Sequence, residues 1–171
     1  MTLTFVTGGA RSGKSSHALR LAAAAGTRVA MIATAEARDG EMAERIAAHR
    51  RERPPGWRTV EEPVDLAGAL RGLAGDEFAI VDCLSLWVSN LLERDDVAAI
   101  EPLAAEAAAL AAGHGGGCVA VSNEVGMGIV PINELARTYR DVLGRVNAIW
   151  ADAADDALFA VAGRVLRLER G

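Results

Sequence analysis

Residues 8–15 read Gly8-Gly9-Ala10-Arg11-Ser12-Gly13-Lys14-Ser15, a complete G-x-x-x-x-G-K-S phosphate-binding loop. Each part of it has a physical task. The glycines let the backbone turn tightly and bring amide N–H groups close to a phosphate. Lys14 reaches the β- and γ-phosphates, and the Ser15 hydroxyl is a ligand for Mg²⁺. Upstream, residues 3–7 (LTFVT) form a β-rich run that delivers the chain into the loop as a buried strand. From Lys14 onward the pattern is helical, so the positive end of a helix dipole faces the anion. A glycine-rich turn without a ligand is the plain alternative. The order strand, loop, Lys-Ser, helix favours a nucleotide.

Four further groups can carry chemistry. Asp82 closes an apolar strand, which is where P-loop proteins place the acid that binds Mg²⁺ directly or through water; as a structural residue it would instead cap the following helix. In residues 39–53, Arg45, His49 and Arg53 recur at i, i+4, i+8 on one stripe, with Arg50 beside them. The arginines favour a neutral imidazole and attract phosphate, so His49 is a candidate nucleophile toward phosphorus. A solvated basic helix face fits the same spacing. Glu61 and Glu62 end a short strand and suit hydrogen bonds to a base edge or ribose, or a structural role. The polar, glycine-bearing loop at 122–131 is placed to line an acceptor pocket or simply to connect a strand to a helix. His17 and His114 read as bystanders, and Trp87 and Trp150 as packing.

The elements that must position these residues alternate. Strands are expected at 3–7, 28–33, 57–61, 78–82 and 118–122. Helices are expected from Lys14, at 39–53, at 63–73 with Pro63 in the first turn, at 84–94, 100–112 and 133–151. A closing hairpin spans 157–161 and 165–168 around Gly163-Arg164. This pattern predicts an α/β fold: a mostly parallel sheet with helices on both faces and a C-terminal β-hairpin. At 171 residues, without repeats or a convincing linker, residues 1–171 read as one domain. The net charge of −5 argues against a general nucleic-acid binder, which needs a basic footprint. Two cysteines, Cys83 and Cys118, suggest a reducing compartment and no zinc site. With no signal-peptide pattern and no apolar run of about 20 residues, the expected location is cytoplasmic.

Several stretches together resemble the bifunctional adenosylcobinamide kinase/adenosylcobinamide-phosphate guanylyltransferases. They are the loop from Thr7 to Ser15, Ile32-Ala33-Thr34-Ala35, Glu41-Met42-Ala43-Glu44-Arg45-Ile46 with His49, and Arg53-Pro54 with Trp57-Arg58-Thr59. Asp82-Cys83-Leu84, Ser89-Asn90-Leu91-Leu92, the run from Ser122 to Pro131, and Arg140-Asp141 with Gly144-Arg145-Val146-Asn147 complete the set. They run in order over almost the whole chain. The resemblance implies a RecA-like P-loop fold, a homotrimer, and two reactions. Adenosylcobinamide is phosphorylated by ATP or GTP. Adenosylcobinamide phosphate then takes GMP from GTP, giving adenosylcobinamide-GDP and pyrophosphate. It also implies that His49 carries GMP as a phosphoramidate. The implied nucleotide contacts are Gly8, Gly9, Ala10, Arg11, Ser12, Gly13, Lys14, Ser15, Ala33, Thr34, Ala35, Arg50, Arg51, Glu52, Arg53, Glu61 and Asp82. A single-activity small-molecule P-loop kinase and a non-catalytic nucleotide switch are the competing readings; the first leaves the Arg45/His49/Arg53 stripe idle, and the second calls for a macromolecular partner.

Overall fold

Alternating apolar strands and helices build one seven-stranded sheet in a computed structural model. It describes residues 2–26, 28–37, 54–94 and 97–170, together with Gly40, Glu44, Ala47, Arg50 and Arg51. In chain order the elements are β1 (Leu3–Gly8), α1 (Lys14–Ala24), β2 (Val29–Ala33), β3 (Arg58–Glu61), α2 (Leu66–Arg71), β4 (Phe78–Asp82), α3 (Leu84–Leu92), α4 (Val97–Ala112), β5 (Cys118–Val121), α5 (Glu134–Ala153), β6 (Asp156–Val161) and β7 (Arg164–Leu168). Across the sheet the strands lie in the order β3-β2-β4-β5-β1-β6-β7. All neighbours pair in parallel except β7, which runs antiparallel to β6. The expected mostly parallel α/β sheet with a closing hairpin is therefore what forms.

Successive strand residues point to opposite faces, and both faces are covered. Leu3, Phe5, Ile32, Val81 and Ala120 enter the larger core with Leu66, Trp87, Ile100, Val142 and Trp150 from α2 to α5. Val6, Met31, Ile80, Val119 and Val121 enter the smaller one against Ala18 and Ala22 of α1. Burial on two sides explains why these strands read as continuous apolar runs without alternation. Trp87 and Trp150 are buried in the larger core, as their neighbours implied.

Some boundaries move, each for a local reason. Pro63 precedes the helix expected at 63–73; Asp65 caps it, its Oδ1 accepting from the Gly68 N–H at 2.8 Å. The following helix stops at Leu92, where Arg94 Nη1 donates to the Asn90 carbonyl at 2.7 Å. Helix α4 begins at Val97, earlier than expected, and accommodates Pro102. The hairpin turns on Ala162 (φ 50°) and Gly163 (φ 73°), one residue before the expected centre. Positive φ at both central residues matches the right-handed strand twist. Of the helix expected at 39–53, the described residues Gly40, Glu44, Ala47 and Arg50 are helical, as is Arg51. Arg45, His49, Glu52 and Arg53 lie outside the described residues. No helix among the described residues is long and apolar enough to cross a membrane.

Candidate active site

The P-loop joins the carboxyl end of β1 to the first turn of α1, and neighbouring segments hold it on two sides. Gly8 has φ +152°, and a Cβ there would stand 2.2 Å from the Ala160 carbonyl oxygen of β6. Glycine is thus required by a tertiary neighbour as well as by the turn. Gly13 (φ +98°) lies against the hairpin turn, where a Cβ would meet the Gly163 Cα at 3.2 Å. The Gly163 N–H donates to the Ser12 carbonyl at 2.9 Å, and the Glu124 N–H donates to the Gly8 carbonyl at 2.9 Å. The C-terminal hairpin and the loop after β5 therefore clamp the phosphate-binding loop between them.

Lys14 is buried. Its Nζ donates to the Gly9 carbonyl at 2.6 Å and lies 3.4 Å from the Ser12 hydroxyl, which holds the ammonium over the loop. Burial pulls the Lys14 pKa below its ordinary value, while Cys83 and Asp82 pull it upward. Ser15 follows Lys14 in the first turn of α1. Asp82 is not the N-cap of α3; Cys83 occupies that position.

The strand register lines up the other candidates along the carboxyl edge of the sheet. Glu61 pairs with Ala33, Ala33 with Asp82, and Asp82 with Val121, which in turn pairs with Val6 two residues before Gly8. Asp82 is thus two strands from β1 and Glu61 four, roughly 10 and 19 Å at about 4.8 Å per strand. That span suits an extended nucleotide with phosphates at one end and its base at the other. Arg50 forms an ion pair with Glu61. Glu62 serves the backbone instead: its Oε1 accepts from the N–H groups of Val64 and Asp65 at 2.9 and 2.8 Å.

Between these ends a buried polar knot fixes the chain around Thr34, which is fully buried. The Thr34 N–H donates to the Asp82 carbonyl at 3.1 Å. Its hydroxyl donates to the Cys83 carbonyl at 2.7 Å and accepts from the Cys83 N–H at 2.9 Å. Asn90 Nδ2 donates to the carbonyls of Thr34 and Pro63 at 2.7 and 3.0 Å. The residues after β2 are thereby tied to the residues after β4, across adjacent strands. Burial pushes the Cys83 thiol up to about 11, and its Sγ lies 3.0 Å from the Ser85 hydroxyl.

Ser15 and Asp82 offer one hydroxyl and one carboxylate. Among the described residues no group of three or more His, Cys, Asp or Glu could hold a metal. A hydroxyl and a carboxylate are hard oxygen donors of the kind that Mg²⁺ takes. The two other histidines have ordinary surroundings. His114 Nε2 lies 2.7 Å from the Glu77 carbonyl, and His17 Nδ1 lies 3.4 Å from Arg20.

Residue-by-residue reading missed the Ala160–Gly163 contact with the P-loop and the role of Asn90 in the Thr34 knot. The hairpin contact had no local signal, because residues about 150 positions apart make it. Asn90 did have one: a lone amide in the leucine-rich helix Leu84–Leu92 must find buried partners.

Comparison with known proteins adds the following. The family described as cobinamide kinase / cobinamide phosphate guanyltransferase matches residues 4–168. The chain is 47% identical over 168 residues to the bifunctional adenosylcobalamin biosynthesis protein CobP of Pseudomonas aeruginosa, covering 96% of this chain and 95% of that protein. It is 42% identical over 175 residues to the bifunctional adenosylcobalamin biosynthesis protein CobU of Salmonella typhimurium, covering 94% and 96% respectively. Among solved structures, the flagellar accessory protein FlaH from Methanocaldococcus jannaschii matches with a TM-score of 0.48 at 13% identity, over 96% of this chain and 74% of that one.

Proposed function

The chain belongs to the cobinamide kinase / cobinamide phosphate guanyltransferase family, and we propose that its two transfers share one nucleotide-binding edge, with His49 carrying GMP from GTP to the acceptor in the second. Its function is that of a bifunctional cobinamide kinase and cobinamide phosphate guanylyltransferase in adenosylcobalamin biosynthesis. The single-activity kinase and the nucleotide-switch readings are set aside by that membership.

In the kinase step the hydroxyl of the aminopropanol arm attacks the γ-phosphorus of ATP or GTP and releases its proton to solvent. The bond to the β,γ-bridging oxygen breaks and the nucleoside diphosphate leaves. Residues Gly8 to Ser15 hold the phosphates with backbone N–H groups, and Lys14 offsets charge on the transferred group. In the second step the His49 imidazole attacks the α-phosphorus of GTP, and pyrophosphate leaves into the P-loop. The phosphate of adenosylcobinamide phosphate then attacks the same phosphorus and the P–N bond breaks, giving adenosylcobinamide-GDP. Splitting the transfer avoids bringing two large polyanions together in one step. Ser15 and Asp82 would hold Mg²⁺, directly or through water, and the ion supplies charge neutralisation on the phosphate oxygens.

The observation that carries this reading is the row of Glu61, Ala33, Asp82 and the P-loop along one sheet edge. A nucleophile for the α-phosphorus must stand away from Lys14. Arg50, next to His49 in sequence, pairs with Glu61 at the far end of that row. Ala33, Ala35, Arg50, Arg51, Glu52, Arg53 and Glu61 are accordingly read as contacts to the nucleoside and its α-phosphate; Thr34, also expected to touch the nucleotide, is fully buried with its N–H, hydroxyl and carbonyl all engaged, and holds the chain in place there instead. We further read residues 1–171 as one domain that works as a homotrimer in the cytoplasm.

Incubation with α-labelled GTP and Mg²⁺ tests the proposal. The expected result is an acid-labile, base-stable label on the protein with release of pyrophosphate. His49→Ala abolishes the label and GMP transfer, whereas Lys14→Ala damages both transfers. GMP transfer at the wild-type rate by His49→Ala would refute the nucleophile assignment.

A further inference from the structure

The buried face of α5 carries one amide among apolar side chains. Val142, Leu143, Val146 and Trp150 are its other buried residues, and Asn147 is 8% exposed. A buried amide is costly unless its hydrogen bonds are made, and both ends of this one are engaged. Its Oδ1 accepts from the fully buried Ser122 hydroxyl at 2.5 Å, which turns Nδ2 toward the Asn123 carbonyl at 3.0 Å. That carbonyl shares a peptide plane with the Glu124 N–H, which donates to the Gly8 carbonyl at 2.9 Å. The Ser122 N–H donates to the Val6 carbonyl in the same way. The bond to Gly8 therefore extends the β5–β1 ladder one step beyond β5 and into the P-loop. One residue further on, the Gly9 carbonyl holds Lys14 Nζ at 2.6 Å.

We propose that Asn147 is a positioning residue for the P-loop, acting through the peptide between Asn123 and Glu124. The inference rests on reading Gly8 to Ser15 as the phosphate cradle of both transfers. A hydrogen bond to the Asn123 carbonyl polarises that peptide and strengthens its N–H as a donor to Gly8. The carbonyl and N–H of a trans peptide point in opposite directions. Asn147 and Gly8 thus grip the 123–124 peptide from opposite sides. Pinning the Gly8 carbonyl in turn fixes the plane of the Gly8–Gly9 peptide, and with it the direction in which the chain enters the loop. The next carbonyl, that of Gly9, is the one that carries the lysine. A leucine at 147 would suit the apolar neighbours better, but it would leave the Asn123 carbonyl without its donor and the loop entry less constrained.

Calorimetric titration of the full chain with tripolyphosphate and Mg²⁺ tests this, because the probe needs the cradle and neither base nor corrinoid. Asn147→Ala is expected to weaken tripolyphosphate binding about tenfold. The Michaelis constants for ATP and GTP should rise by a similar factor in both transfers, while that for adenosylcobinamide stays within about twofold. Glu77→Gln is the control for stability. Glu77 immediately precedes β4, at the edge of the sheet opposite the P-loop, so its variant should melt lower yet bind tripolyphosphate within about twofold of the wild type. Ser122→Ala removes a single hydroxyl and lets the amide turn, so it carries the test if Asn147→Ala does not fold; about threefold weaker binding is expected. Wild-type affinity in the folded Asn147→Ala chain, or in Ser122→Ala where that chain does not fold, overturns the proposal. So does an equal loss in Glu77→Gln, which would make the effect one of stability alone. A wild-type chain that takes up no tripolyphosphate refutes the cradle, and the role of Asn147 with it; equal uptake by wild type and variants refutes the role of Asn147 only.

Discussion

Replacing Asn90 by alanine removes two hydrogen-bond donors from a place that water does not reach. The side chain is 2% exposed, and its Nδ2 serves the carbonyls of Thr34 and Pro63 at 2.7 and 3.0 Å. Leaving one buried polar group without its partner costs about 1–3 kcal/mol, so two such carbonyls put the loss at about 2–6 kcal/mol. In a chain of this length 1 kcal/mol moves the melting temperature by about 2–4 °C. Thermal unfolding followed by circular dichroism should therefore show a fall of about 4–24 °C. The kinetic effect follows from position. Thr34 sits between Ala33 and Ala35 at the proposed nucleoside contact, so the Michaelis constant for GTP should rise by more than kcat falls. Asn90→Asp keeps the volume but replaces the donor with a carboxylate oxygen, an acceptor facing two carbonyl acceptors, and it should melt no higher than Asn90→Ala. The reasoning fails if Asn90→Ala melts within about 2 °C of the wild type, or if Asn90→Asp is the milder change.

Two other residues give independent checks. The buried Glu77 carboxylate accepts from the Ala74 N–H at 2.9 Å and from Arg58 at 3.0 Å, and these bonds hold its pKa below the ordinary 4.5 against burial. A depressed folded pKa contributes stability that is complete above the unfolded value and is lost as pH falls through the lower folded value. Glu77→Gln should therefore cost about 1.5–3 kcal/mol at neutral pH. That deficit should shrink as the pH falls below the ordinary 4.5; a constant deficit across the titration would contradict the assignment. Burial also pushes Cys83 to about 11 and Cys118 to about 12. At pH 8 no more than about a thousandth of either thiol is thiolate, so a disulfide reagent should label the buried Cys118 only on unfolding and the half-buried Cys83 slowly. Rapid labelling of Cys118 in the native chain would contradict its burial in β5.

The parts of this protein that sequence reveals are those governed by near neighbours along the chain. Glycine spacing, Lys14 and Ser15 specify a phosphate cradle because a P-loop closes within eight residues. Uninterrupted apolar runs such as Phe78–Asp82 announce strands buried on two faces, and Asp82 at the end of one of them announces an acid at the ligand edge. Helix limits were less legible where a cap outweighed the apolar pattern, as Asp65 does over Pro63. The exposed loop after β5 was legible as polar and glycine-bearing, yet its apolar side chains stand out only once their exposure is known. What the tertiary structure alone decided is which distant segments touch. Gly8 must be glycine because the Ala160 carbonyl lies where its Cβ would be, and Ser12 is held by Gly163 from the far end of the chain. Thr34, Cys83 and Asn90 form one knot because parallel pairing sets β2 beside β4. Glu61 and the P-loop share an edge only through the strand order, which no local preference encodes, since it is fixed by how the two apolar faces of the whole sheet are covered.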